Sequence, residues 1–409
     1  QEPFKTHPTT YRGRMDNSVA STLYLKADRD GPVRRRHPWV MSGSVSHVTN
    51  DPQPGDTVKV VSATGDELGL ASYSPFSTIR ARMWTFDPSA RVDDAFVTEL
   101  LERSIARRAW YPGLESTARL VFGDADGLPG LVVDRYGEVV VMQITTVGIE
   151  RWRDVIADVL FAIPEIDCVY ERSDGDDRKR EGLDERVGIA RGRLPDEVHA
   201  RENGFTFAVD VASGHKTGFY IDQRGARMLI PQLSNGARVL NVFGYTGSFS
   251  VIAARNGASS VTTIDSSAPS LELAKLNARI NDTDIGELIV GDAGEQLRRL
   301  RDRRAEFDLI ILDPPKFAPT QKNLDRASRA YKDVNLLGAK LLAPGGRLLT
   351  FSCSGAVSAD LFQKIVAGAA LDAKRSMSIV QRLGQPVDHP VLLSYPESEY
   401  LKGMLLQAH

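Results

Sequence analysis

Cys353 sits in the run Phe351-Ser352-Cys353-Ser354-Gly355, where an apolar strand gives way to small polar residues. A thiol at a strand tip faces a crevice and suits covalent attack on an electron-poor carbon, whereas an arbitrary cysteine is more often a small core residue. A second strand, Phe307–Leu312, ends in Asp313-Pro314-Pro315-Lys316-Phe317. The two prolines fix the backbone, hold Asp313 at the sheet edge and deliver Lys316 and Phe317 into the same crevice, a rigid platform for a flat substrate. Upstream, Arg238-Val239-Leu240-Asn241-Val242-Phe243 runs into the glycine turn Gly244-Tyr245-Thr246-Gly247, with a helix expected near Ser248. Such a turn lets a ligand approach backbone amides at a helix start. The next two strands end in Asp265 and in Gly291-Asp292. One acid there would be read as a helix cap, but two in succession after a glycine turn favour a nucleoside, with Asp265 on the ribose and Asp292 near the adenine edge. The G-x-G-x-x-G fingerprint of dinucleotide cofactors is absent.

The elements that must position these residues follow from periodicity. From about Arg201 onward, strands at Arg238–Phe243, Ser260–Ile264, Glu287–Val290, Phe307–Leu312 and Arg347–Phe351 alternate with helical segments. This rhythm predicts an α/β fold with a doubly wound parallel sheet, whose ligands sit outside the carboxyl ends of the strands. The fourth and fifth strands are neighbours in the usual winding, so Asp313 and Cys353 should face one another. Before this lies a mixed α/β segment: a helix over Val92–Trp110, a hairpin over Leu131–Met142, a helix over Trp152–Ile163 and a strand over Asp167–Arg172. The stretch Arg172–Arg186, with Arg178-Lys179-Arg180, reads as a loop, solvated or else touching a phosphate backbone. Short β runs between Ser21 and Trp84 predict a small β-barrel or curled sheet. Within it, Arg34-Arg35-Arg36-His37-Pro38-Trp39 mixes cations with stacking rings, as irregular RNA favours; the alternative is a solvated charge run followed by a core tryptophan. The expected domains are therefore 19–91, 92–200 and 201–409.

With 51 Lys+Arg against 53 Asp+Glu, a net charge of -2 and 42% hydrophobic residues, the composition is that of an ordinary globular chain. A nucleic-acid partner must be met by a local patch rather than by the field of the whole molecule. Two cysteines make neither a disulfide framework nor a zinc site, no metal is expected, and a reducing compartment fits. The polar start and the lack of a long apolar run indicate a cytoplasmic protein with no membrane partner. Met15 is a candidate start residue, with Gln1 to Arg14 as a leader.

Taken together, these residues resemble a known family. The carboxyl half is similar to S-adenosylmethionine-dependent methyltransferases, and the whole chain resembles the bacterial 23S ribosomal RNA cytosine-5 methyltransferases of the RlmI type. The matching stretches include Arg35-Arg36-His37-Pro38-Trp39-Val40, Tyr73-Ser74-Pro75, Ile79-Arg80-Ala81-Arg82, Asp126-Gly127-Leu128-Pro129-Gly130, Gly214 to Arg224, Tyr245-Thr246-Gly247, Asp313 to Phe317, Phe351 to Gly355 and Asp388-His389-Pro390-Val391. The resemblance implies a PUA domain that binds RNA, a central α/β domain, a Rossmann-like methyltransferase domain and a homodimer. By the family's pattern, Asn241, Phe243, Tyr245, Thr246 and Gly247 would hold the methionine portion of S-adenosylmethionine, Asp265 the ribose and Asp292 the adenine. Tyr220, Gln223 and Arg224 would cover the cofactor, and Asp313 would border it. Arg34, Arg35, Arg36, His37, Trp39, Lys316 and Phe317 are the candidate RNA contacts. Two departures stand out: Arg201-Glu202-Asn203-Gly204 replaces a Glu-Glu-His-Gly run, and Gly244 stands where serine is expected.

Carbon 5 of cytosine is too weak a nucleophile to take a methyl group unaided, so the ring needs covalent activation at carbon 6. Cys353 would add there while Asp313 hydrogen-bonds or protonates the ring nitrogen, and Phe317 would offer a landing surface for the flipped base. Two rival readings are an amino-group methyltransferase, in which Cys353 has no task, and an RNA-binding protein with a relict methyltransferase domain.

Overall fold

The computed structural model describes residues 19–114, 116–317 and 321–409, so the expected leader over 1–14 lies outside the described residues. The amino-terminal sheet contains β1 (Ser21–Leu25), β2 (Trp39–Met41), β3 (Val45–Val48), β4 (Thr57–Val61), β5 (Glu67–Tyr73) and β6 (Ile79–Thr85) in the order β2-β6-β5-β4-β1-β3. Its edge strands β2 and β3 are joined by a single 3-10 turn, Ser42–Ser44, so the sheet curls around Leu23, Val40, Val58, Val60, Ala71 and Ala81.

The helix Asp94–Arg108, capped by the Asp93 carboxylate on the Phe96 amide, leads into a five-stranded sheet. This sheet has the order β11-β10-β9-β8-β7, with β7 (Thr117–Phe122), β8 (Leu131–Tyr136), β9 (Val139–Ile144), β10 (Cys168–Ser173) and β11 (Arg186–Gly192). The expected hairpin is β8–β9, turning at Gly137 with φ of 58°. The stretch expected to be a solvated loop contains a helix, Asp176–Arg180, and Arg178 is only 2% exposed. Its guanidinium bonds the Ile144 carbonyl and pairs with Glu150, so it is a structural cation rather than a phosphate contact.

A small hairpin, β12 (His199–Glu202) and β13 (Phe205–Ala208), bridges to the last sheet, and a division at 200/201 passes through β12. The carboxyl-terminal sheet runs β16-β15-β14-β17-β18-β20-β19. Its strands are β14 (Arg238–Val242), β15 (Ser260–Asp265), β16 (Glu287–Val290), β17 (Phe307–Leu312), β18 (Leu342–Ser352), β19 (Met377–Leu383) and β20 (Lys402–Ala408). The five strands expected from the sequence pair in parallel, and the sheet adds β20, antiparallel to both β18 and β19. That departure from a wholly parallel sheet brings the end of the chain back against the strand that carries Cys353.

The central and carboxyl-terminal sheets share one core. Tyr136, Val139, Val141 and Cys168 of the former cluster with Leu309 of the latter and with Phe207, Phe219 and Phe249 from the elements around it. Cys168 is fully buried there, and burial pushes its thiol up to about 11, the state of an inert core cysteine.

A buried ion pair fastens the same junction. Both Arg108 terminal nitrogens bond the Asp126 carboxylate at 2.8 and 2.6 Å, and one also reaches the Asp388 carbonyl at 2.9 Å. Removing one partner of such a pair strands the other charge. Arg108→Ala is expected to lower stability by about 3–5 kcal/mol, read as a shifted denaturant midpoint. A loss below about 1 kcal/mol would show that water reaches Asp126 freely.

Candidate active site

The site forms where β14, β15, β17 and β18 end side by side. After β14 the chain turns through Phe243 and Tyr245 at φ of 63° and 46°, then Gly247 at 74° before the helix Ser248–Arg255. Two non-glycine residues in the left-handed region within one turn mark a backbone held by its surroundings. Gly244 and Gly247 are demanded by packing: an added Cβ would lie 2.3 Å from Thr263 Cγ2 at the first and 2.7 Å from Ala274 Cβ at the second. The glycine found where serine was expected is thus explained, because Thr263 fills the space a serine side chain would need.

Beneath the turn, Asn241 is fully buried, donating to Ser250 Oγ at 2.9 Å. Asp265 accepts the Tyr245 amide on one oxygen at 2.8 Å and the Ser267 amide on the other at 2.9 Å, which leaves lone pairs on both for a diol. Asn277 donates to the Thr246 carbonyl at 2.9 Å and fixes the turn to the neighbouring helix. Asp292 caps the helix Ala293–Asp302 through one oxygen and is exposed on the far side of Asp265. The turn is therefore a cradle with acids on its rim.

Asp313 follows β17 and meets Cys353, which follows β18: the Cys353 thiol points at the Pro314 carbonyl, 3.9 Å from it. Burial, aided by the nearby Asp222 carboxylate, pushes the Asp313 carboxyl up to about 7, while a hydrogen bond from Gln223 opposes the rise. Burial likewise pushes the Cys353 thiol up to about 11, and Lys216 and Lys316 oppose it. Tyr220 lies over the crevice, with Lys216 Nζ 4.7 Å from its ring centre and Tyr245 packed edge-on at 5.2 Å. Three buried acceptor atoms near the crevice, Asn241 Oδ1, Gln223 Oε1 and Asp222 Oδ1, have no protein partner. Together with the cradle, they fit a ligand that carries ammonium and hydroxyl donors.

Other expected residues are placed elsewhere. Arg224 turns away from the crevice, its guanidinium bonding the carbonyls of Gly113 and Thr117, and so serves the junction with the central domain rather than covering a cofactor. Phe317 is half-buried, edge-on to Tyr331 at 4.9 Å, with Lys316 exposed beside it. In the first sheet, Trp39 donates its indole N–H to Asp124 at 3.0 Å and packs on Tyr395, while His37 contacts Glu397; both are interface residues. Arg34 is exposed but paired with Asp30 and Asp66. Arg35 and Arg36 are exposed, and Arg35 lines a cavity of about 730 Å3 with His37, Trp39 and Glu397.

Reading the sequence alone left four residues of the crevice without a role: Lys216, Asp222, Tyr331 and Lys402. Lys402 carried a signal, a lone charge in the apolar run Tyr400 to Leu406. No group of three or more His, Cys, Asp or Glu residues suited to a metal ion occurs among the described residues, and no described helix is long and apolar enough to cross a membrane.

A sheet of this order with a tight turn after its first strand and acids on the next strand ends defines a Rossmann-like, nucleoside-binding domain. The family model for S-adenosylmethionine-dependent methyltransferases matches residues 188–405, and that for PUA-like domains matches residues 23–86. A protein from Alteromonas mediterranea named ribosomal RNA large subunit methyltransferase I is 44% identical over 393 residues, 95% of this chain and 99% of its own. Its namesake from Shewanella frigidimarina is 45% identical over 395 residues, with 95% and 99% covered. The chain belongs to this family of S-adenosylmethionine-dependent methyltransferases. A solved S-adenosylmethionine-dependent methyltransferase from Streptococcus mutans shares the fold, with a TM-score of 0.81 at 23% identity over 94% of this chain and 99% of that one. A second solved methyltransferase, complexed with SAH, has a TM-score of 0.82 at 23% identity over the same shares.

A carboxyl with a raised folded pKa is stabilising while protonated. Its contribution is complete below the unfolded value and is lost as pH rises through about 7. Asp313→Asn is expected to match the parent's stability near pH 4 and to exceed it at pH 8, by on the order of 1–4 kcal/mol. Equal stability at both pH values would show that Asp313 ionises as it does in water.

Proposed function

We propose that this protein methylates carbon 5 of a cytosine in large-subunit ribosomal RNA, with Cys353 as the nucleophile and Asp313 as its acidic partner. The observation that carries this reading is the pairing at the strand tips: a thiol aimed at the Pro314 carbonyl, next to a carboxyl pushed up to about 7, both beside the cofactor cradle. The cofactor S-adenosylmethionine, when bound, supplies an electrophilic methyl group. The turn Phe243 to Gly247 and the Asp265 carboxylate would hold it, and Tyr220 would cover the face toward the crevice.

The chemistry falls to this chain's own residues. Cys353 adds to carbon 6 as thiolate, which moves electron density toward carbon 5. Asp313, its carboxyl pushed up to about 7, is protonated in part at neutral pH and in that form donates to the ring nitrogen as charge develops there. Lys216 and Lys316 oppose the burial that keeps the thiol protonated. The RNA substrate follows from the names of the relatives, and the exposed Arg35 and Arg36 offer a local patch for its backbone. The amino-group alternative leaves the Cys353–Asp313 pairing without a use.

Cys353→Ala is expected to abolish methyl transfer, by at least about a thousandfold, while binding of S-adenosylmethionine measured by calorimetry is unchanged. Retained transfer would overturn the cysteine mechanism and favour amino-group chemistry. Replacing Arg35 and Arg36 together by alanine is expected to weaken RNA binding and to reduce its salt slope by about two, with cofactor binding unaffected. An unchanged slope would move the RNA surface elsewhere.

A further inference from the structure

Tyr331 carries a hydroxyl into a core where phenylalanine would pack as well. It lies on the helix Leu324–Leu341, is fully buried, and clusters with Leu312 at the end of β17 and with Val357 and Phe362 beyond β18. A phenol oxygen in such surroundings is costly unless it is hydrogen-bonded. Its partner is the fully buried Ser354: the two hydroxyl oxygens lie 2.9 Å apart, with Ser352 also near the phenol. The other polar groups of Ser354 are held as well. Its carbonyl accepts from Lys402 Nζ at 2.9 Å and from the Val357 amide at 3.1 Å, and its amide donates to Ser352 Oγ at 3.4 Å. Cys353 lies between these two serines, so the bonds of its neighbours decide where its thiol points.

The ring of Tyr331 makes a second connection. It packs edge-on against Phe317 at 4.9 Å, and Phe317 packs edge-on against Phe243 at 6.5 Å. Phe243 opens the turn after β14, Phe317 follows β17 and Ser354 follows β18. One side chain thus touches the loops that carry the platform and the nucleophile and, through Phe317, reaches the turn of the cofactor cradle. These loops lie beyond the ladder of the sheet, so their spacing depends on contacts of this kind.

We propose that Tyr331 is a positioning residue for the nucleophile: its ring is seated on Phe317 and its hydroxyl fixes Ser354, which sets the Cys353 thiol at attack distance from carbon 6 of a base lying on Phe317. The Tyr331 and Ser354 hydroxyls are buried behind the tip and offer no surface to RNA or cofactor, so their bond acts on the rate of attack and not on binding. A displacement of about 1 Å at a reacting atom can cost on the order of a hundredfold in rate. This inference rests on Cys353 being the nucleophile.

The test uses the full chain, S-adenosylmethionine and a large-subunit ribosomal RNA transcript containing 5-fluorocytosine. Fluorine on carbon 5 blocks the proton removal that precedes elimination, so attack by the cysteine accumulates as a protein–RNA adduct, followed in time on a denaturing gel. Tyr331→Phe keeps the ring and removes the hydroxyl; it is expected to slow adduct formation by on the order of ten- to a hundredfold. The Kd for S-adenosylmethionine and the KM for unmodified RNA should stay within about twofold of the parent. Ser354→Ala is expected to cause the same loss, and the double variant no more than either single one, because each removes the same hydrogen bond. An unchanged adduct rate in Tyr331→Phe overturns the proposal, as does a loss confined to KM or to thermal stability, and as do losses that multiply in the double variant. If Tyr331→Phe no longer binds cofactor, Ser354→Ala decides: an unchanged rate there overturns the proposal. A parent protein that transfers methyl but forms no adduct is a separate failure, which removes Cys353 as the nucleophile whatever the variants do.

Discussion

Two half-buried acids, a thiol and a carboxyl, set the terms for everything around them. Burial pushes the Cys353 thiol up to about 11, which makes it an unready nucleophile at neutral pH, and the Asp313 carboxyl up to about 7, where it can both hold and give a proton. A crevice of this kind must carry cations to release the thiol and hydrogen bonds to aim the carboxyl. Lys216 and Lys316 provide the first and Gln223 the second. If solvent filled the same crevice, the carboxyl would ionise at its ordinary value and lose its capacity to donate.

That enclosure is built by parts far apart in the chain. The turn and three strand ends form the floor, and the segment Gly214 to Gln223 lies over them through Tyr220 and its contacts with Tyr245. The loop between β19 and β20 closes one side: Tyr400 bonds Asp222 at 2.6 Å, and Asp388 accepts the Arg119 amide at 3.1 Å, which ties the crevice to the central domain. The same loop reaches the first sheet, where Tyr395 packs against Trp39. Residues that would otherwise read as an RNA surface thus fix the first sheet against the rest, and the exposed arginines beside them gain a defined position relative to the crevice.

How much of this was legible depended on the distance over which each signal acts. The five parallel strands and the β8–β9 hairpin are local patterns, and they are where periodicity puts them. The strand-end residues Asn241, Asp265, Asp313 and Cys353 were legible because a doubly wound sheet gathers its strand ends on one edge, whatever the loops do. Arg224, Arg178, His37 and Trp39 were not, since a charge or ring in a loop has no sequence mark for solvent or interface; the partners lie far along the chain, within the central domain for Arg178 and in another domain for the rest. Lys402 showed as a lone charge in an apolar run, but only the antiparallel return of β20 sets it opposite Ser352 at the strand tip.

The central claim, attack through Cys353 on a cytosine ring, is tested most directly by the product. Labelled methyl from S-adenosylmethionine would be transferred to unmodified large-subunit ribosomal RNA, the RNA digested to nucleosides, and the labelled nucleoside identified. The account predicts label in 5-methylcytidine alone. Label in a nucleoside methylated on an exocyclic amino group would contradict it, because that chemistry needs no adduct at carbon 6 and no thiol at the tip of β18.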